Sequence, residues 1–222
     1  RMIAQDLITA EIPPLKHSDT IEKALYWMDE FKVSHLPVLK GMNFVGVVSE
    51  SDLMDYPNDL ECSLDKVFDV LPRPYAKDSA HVYDVLKLIS DHKLTIVPVL
   101  DEEEKYVGCI NLMNLMTFIT GIASITDIGG VIILQMQEHD YSLAQMAQIV
   151  ESNNARILSS YITSSSESSM MEVTLKINTT ELDAILKTFF RYDYMVIASF
   201  VKSKFQDDMQ DRYEELMKYL KL

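Results

Sequence analysis

The chain is poor in the features that usually declare a protein's chemistry. Among its 222 residues no apolar run approaches the ~18–20 that a membrane-spanning helix needs, so no membrane span is expected. The opening RMIAQDLITA has neither the basic nor the apolar region of a signal peptide. Two cysteines, Cys62 and Cys109, form no disulfide framework and no CxxC metal site, which suits a reducing cytoplasm. Basic residues are scarce: 20 Lys and Arg stand against 34 Asp and Glu, a net charge of −14. The deficit is −9 over residues 1–120 (11 basic, 20 acidic) and −5 over the rest (9 basic, 14 acidic). Such a surface repels polyphosphate at long range, so neither nucleic acid nor an anionic membrane is an expected partner. Backbone amides placed locally can still hold one small anion.

Catalytic patterns are missing as well. His17, His35, His81, His92 and His139 show no HxxxH or His/Cys ligand spacing, so no metal is expected. No GxSxG, Walker-type or GxGxxG loop is present. The expectation is a protein that is not an enzyme and carries no resident cofactor.

What is there is a repeat. DTIEKALYWMDEFKVSHLPVLKGMNFVGVVSESDLM (19–54) is echoed by AHVYDVLKLISDHKLTIVPVLDEEEKYVGCINLMNLM (80–116). Pro37 matches Pro98 at an offset of 61, and Gly46 matches Gly108 at 62, the acidic turn 101–105 taking the extra residue. Each copy reads as an extended lead-in, a capped helix, two short strands and a second helix. The helix caps are expected at Ser18/Asp19 and Asp78/Ser79. Proline cannot donate to a ladder, so Pro37 and Pro98 suggest strand edges or exposed backbone.

The strand-to-helix junction GVVSESD carries the chemistry. Ser49 is an N-cap and Asp52 the third helical residue, which by themselves make a capping-box variant. The same parts suit a guest: amides at a helix start and a hydroxyl attract phosphate, and an ionised carboxylate accepts from a ribose diol. Gly46, lacking a Cβ, lets a flat ring approach the strand.

With these features the first 120 residues resemble a tandem pair of cystathionine-β-synthase (CBS) domains, a Bateman module. The likeness rests on DLIT (6–9), SHLPVL (34–39), FVGVVSESDLM (44–54) and the echoes TIVPVL (95–100) and YVGCINLMNLM (106–116). It implies clefts for an adenosine-containing ligand: AMP, ADP, ATP or S-adenosylmethionine. By that resemblance Ser49 meets phosphate or ribose oxygen and Asp52 the ribose hydroxyls. Thr9 and His35 line the same cleft, and the backbone of Leu36 and Val47 meets the base. The second copy has Asn111 and Asn114 at the Ser/Asp positions and Ile96 in place of His35. Its cleft, with Val97, Asn111 and Asn114, is therefore expected to be weaker or empty.

After residue 124 the pattern changes to β-α-β-β-α-β, the ferredoxin-like plan. It resembles an ACT domain, although the loop QEHDYSL (137–143) has no glycine for close ligand approach. A tail with Phe205, Met209, Tyr213, Leu216 and Leu220 at helical spacing reads as an amphipathic helix. The fold class expected is thus α+β: repeated βαββα units, then a βαββαβ domain and a C-terminal helix. The bounds are 2–59 and 60–124 for the two CBS domains, 127–202 for the ACT-like domain and 203–222 for the helix. The whole order resembles the acetoin-utilization type B family. The function implied is a non-catalytic nucleotide sensor, a homodimer by default. Two alternatives stand beside it: a structural adaptor with degenerate clefts that dimerises through the ACT domain, and an amino-acid sensor through that domain.

Overall fold

The computed structural model describes residues 2–122, 124–164 and 169–201. The expected tail helix lies outside them. Two compact units divide the chain, Arg1–Phe118 and Ile119–Leu222.

The first unit holds both repeats. In copy one, β1 (Leu15–Lys16) runs parallel to β2 (His35–Lys40), which pairs antiparallel with β3 (Asn43–Ser49). Helix α1 (Ile21–Phe31) lies between β1 and β2 in the chain, and α2 (Glu50–Met54) follows β3. A short α3 (Leu64–Val67) opens the link to copy two. There β4 (Ala76–Lys77), α4 (Val82–His92), β5 (Ile96–Leu100), β6 (Tyr106–Asn111) and α5 (Leu112–Ile122) repeat the order. The register repeats too: Pro37 faces Val47 as Pro98 faces Cys109. The three- and four-residue spacing seen in the sequence buries Ile21, Ala24 and Met28 of α1 against Leu36, Val38, Val48 and Leu53.

Two expectations are corrected. The caps fall later: Thr20 caps α1 by accepting from the Lys23 N–H at 3.2 Å, and His81 Nδ1 accepts from the Tyr83 N–H to cap α4. Asp19 is occupied elsewhere, taking the Lys16 N–H at 2.8 Å and pairing with Lys23. Nor do the prolines mark exposed backbone. Pro37 and Pro98 are buried in the middle strands of their sheets. Proline is tolerated there because β1 pairs only with Val38 and Leu39, leaving no neighbour opposite Pro37 on that side.

The second unit is a four-stranded antiparallel sheet in the order β10-β7-β9-β8. The strands are β7 (Gly130–Gln137), β8 (Ile157–Ser164), β9 (Met170–Ile177) and β10 (Met195–Val201). Helices α6 (Leu143–Ser152) and α7 (Asp183–Arg191) complete the ferredoxin-like βαββαβ plan of an ACT-like domain. Ser142 caps α6 through Gln145 N–H, and Asn154 at φ 56° turns the chain out after it. Met146, Ile149 and Val150 of α6 are buried, whereas Leu143, in the first turn, is 41% exposed.

Candidate functional site

Ser49 ends β3 and Asp52 sits in the first turn of α2, as the junction pattern required. The capping box is closed: Ser49 Oγ accepts from Asp52 N–H at 3.1 Å, and Asp52 Oδ2 accepts from Ser49 N–H at 3.3 Å. The Ser49 hydroxyl donates to the same Oδ2 at 2.6 Å. Both residues remain half-buried, and Asp52 Oδ1 has no partner among the described residues. The Glu50 N–H is taken by Ser34 O at 2.9 Å. Three amides of this junction, those of Ser49, Glu50 and Asp52, therefore already have acceptors, and α2 has only five residues, so its dipole offers an anion little. What the junction leaves open is a carboxylate oxygen, an acceptor suited to hydroxyl donors.

The lead-ins are exchanged between the repeats. Thr9 N–H donates to Cys109 O at 2.9 Å, and Ile8 lies against Gly108. Reciprocally, Val47 N–H donates to Pro72 O at 2.8 Å, and Leu71 lies against Gly46. The backbone of Thr9 is therefore bridged to the strand that ends in Asn111 and not to the strand that ends in Ser49. The neighbour of the Ser49 strand is the apolar run Val70–Leu71–Pro72, with Val70 86% exposed. Val47 cannot offer its N–H to a base, and the Leu36 and Val47 side chains are buried walls. A cavity of about 410 Å³ borders the same run, lined by Val38, Lys40, Val45, Phe68 and Leu71 among others; Ser49 and Asp52 stand outside its lining.

His35 lies directly across the β2–β3 ladder from Ser49. Its Nδ1 is 2.9 Å from Thr95 Oγ1 and accepts the Thr95 N–H at 3.2 Å. Burial lowers its pKa from 6.5, against an opposing pull from Asp52. A base whose folded pKa is depressed binds fewer protons folded than unfolded. Its contribution to stability is thus complete above about pH 6.5 and lost as the pH falls below it. Replacing His35 with asparagine is accordingly expected to shrink the fall in melting temperature between neutral and mildly acid buffer. An unchanged fall would show that His35 does not carry it.

The CBS-domain family pattern matches residues 4–59 and 67–121, together half of the chain. The chain belongs to the CBS-domain family. A curated relative, inosine-5'-monophosphate dehydrogenase of Methanocaldococcus jannaschii, is 23% identical over 116 residues, 51% of this chain. The chain spans only 23% of that enzyme's length. Among solved structures, a CBS domain pair/ACT domain protein from Thermotoga maritima is 27% identical. The match covers 55% of this chain and 100% of that one, with a TM-score of 0.48. The structure of CBSX2 in complex with AMP is 24% identical, covering 55% and 98%, with a TM-score of 0.47.

In the second CBS motif the corner is built differently. Asn111 Oδ1 accepts from Met113 N–H at 2.9 Å and Asn114 is exposed, with no carboxylate between them. Val97 and Ile96 are fully buried, so they supply walls and no polar contact. Thr9, 8% exposed, is the hydroxyl on this side, and it accepts from Glu11 N–H at 3.2 Å. Burial pushes the Cys109 thiol up to about 11, which leaves it a packing residue. Thr95 is the residue that sequence reasoning missed. Its signal was the offset of 61 that aligns it with Ser34, the residue beside His35.

In the ACT-like unit, the loop without glycine forms a short 3-10 turn, Glu138–Asp140. A cavity of about 460 Å³ beside it is lined by Gln135, Gln137, Asp140, Gln145 and Tyr194 among others. Tyr194 donates to Gln145 Oε1 at 2.6 Å, closing part of its polar wall. Among the described residues no group of three His, Cys, Asp or Glu side chains is placed to hold a metal. No described helix is long and apolar enough to cross a membrane.

Proposed function

We propose that the CBS pair is a non-catalytic regulatory module that binds an adenosine-containing ligand at the Ser49–Asp52 corner. The observation that carries the reading is the Asp52 carboxylate. One oxygen is fixed by Ser49, the other is open and half-buried, and the glycine-bearing strand ends beside it. An orientated carboxylate with a free oxygen is an acceptor for vicinal hydroxyls. The second motif, without the carboxylate, is the weaker site. A ligand that favours one packing of the two motifs shifts the population toward it, which is how such a module signals. The chain is read as working in the cytoplasm, as a homodimer.

The test is thermal unfolding of nucleotide-stripped protein with AMP, ADP, ATP, S-adenosylmethionine and free amino acids. A ligand at about 100 times its dissociation constant stabilises by roughly 2.7 kcal/mol, a visible shift. The expected result is a shift with an adenosyl ligand, lost when Ser49 and Asp52 are both alanine. A shift with amino acids alone would transfer the function to the ACT-like unit, and none with any ligand would favour an adaptor.

A further inference from the structure

The two CBS motifs are tied at one point by polar side chains that the nucleotide reading does not use. Ser34 N–H donates to Thr95 Oγ1 at 3.0 Å, so the Thr95 hydroxyl proton is free to turn toward His35 Nδ1, 2.9 Å away. The Thr95 N–H donates to the same nitrogen. With two donors converging on it, Nδ1 is an acceptor; the ring is neutral and carries its proton on Nε2.

The residues of this tie also hold both binding corners. Glu50 N–H, at the start of α2, hangs from Ser34 O at 2.9 Å; Leu112 N–H, at the start of α5, hangs from Thr95 O at 3.1 Å. Ser34 Oγ donates to Glu50 Oε2, and His35 stands opposite Ser49 in the ladder. A shift of Thr95 relative to His35 is thereby a shift of one corner relative to the other.

We propose that His35 and Thr95 form a positioning joint: a neutral imidazole accepting at Nδ1 locks the start of β2 to the start of β5, and ligand affinity at Ser49–Asp52 depends on that lock. The proposal rests on the nucleotide reading given above. A proton on Nδ1 would set an N–H against the Thr95 N–H and open the joint. Two acidic groups of the β3–α2 junction bear on the joint: Asp52, whose field reaches the ring, and Glu50, which accepts from Ser34 Oγ. Asp52 is the one whose field favours the imidazolium.

The experiment measures AMP affinity at about pH 7.5 and about pH 5.5, below the ordinary imidazole pKa, in wild type and His35→Asn. Asparagine keeps an acceptor but does not titrate, and the phosphate of AMP titrates equally in both proteins. The expected weakening on acidification is about tenfold in wild type and about threefold or less in the variant. Thr95→Val should weaken binding about five- to tenfold at the higher pH, with Thr95→Ser recovering most of the loss. Nitrogen-15 spectra of the ligand-free imidazole, assigned by the loss of one signal in His35→Asn, should show Nδ1 unprotonated. AMP binding with equal pH ratios in the two proteins, or an Nδ1–H tautomer, would overturn the joint alone. Failure of wild type to bind any adenosyl ligand would overturn the joint and the nucleotide reading together.

Discussion

Gly46→Ala is expected to lower the stability of the first unit by about 2–5 kcal/mol, and Gly108→Ala by clearly less, about 1–3 kcal/mol. The two glycines are equivalent in the repeat, with φ +156° and +150°, so the backbone term is shared. They differ in what a methyl would meet. At position 46 it would lie 2.5 Å from Leu71 Cβ and 2.7 Å from Pro72 O, atoms that move only with the backbone. Shifting that backbone also breaks the Val47 N–H···O Pro72 bond. At position 108 the only close atom is Ile8 Cγ2 at 2.4 Å, the end of a rotatable side chain, and the next atoms stand at 3.7 Å or beyond. Urea unfolding of both variants, followed by the fluorescence of Trp27, the chain's one tryptophan and a residue of the first unit, decides the matter: equal midpoints, or a larger loss at Gly108, would contradict this account of the exchanged lead-ins.

That exchange also shows where sequence reading stops. The repeat was legible because proline and glycine mark fixed places in it, and the ladders place Pro37 and Pro98, Gly46 and Gly108 in matching registers. The βαββαβ order of the second unit was legible from period, since β7 alternates buried and half-buried residues and α6 and α7 each bury one face. The corner of Ser49 and Asp52 is local, three residues apart, and the structure joins them as a box. The partner of Thr9 is not local. Nothing near residue 9 says that it bridges to Cys109, a hundred positions on. The caps were misplaced for a smaller reason: Ser18, Asp19 and Thr20 all favour that role, and only the Asp19–Lys23 pair and the Lys16 N–H show which were otherwise engaged. Proline in a middle strand was legible only once β1 proved too short to pass it.

Phe189→Ala is expected to cost the second unit about 3–5 kcal/mol, while Phe190→Ala, one residue on, costs within about 0.5 kcal/mol. Phe189 is fully buried in the core between α7 and the sheet, with Ile132, Leu134, Val173 and Leu175 in the same cluster; Phe190 is 78% exposed. The ring meets Tyr194 edge-on with centroids 5.4 Å apart, and the Tyr194 N–H donates to Phe189 O at 3.0 Å. Truncation thus removes apolar burial, leaves a cavity in the face of the sheet that α7 covers, and frees the Tyr194 ring that walls the cavity beside Gln145. Because the chain has two compact units, a single unfolding free energy is ill-defined, and native-state hydrogen exchange is the proper measurement. Amides of β7 and β9, the central strands, should lose protection in Phe189→Ala and keep it in Phe190→Ala. Similar losses in both variants would mean that α7 does not seat on the sheet through Phe189. The amino-acid alternative would then lose its scaffold too, because Tyr194 and Met195 reach the 460 Å³ cavity only by following α7 directly into β10.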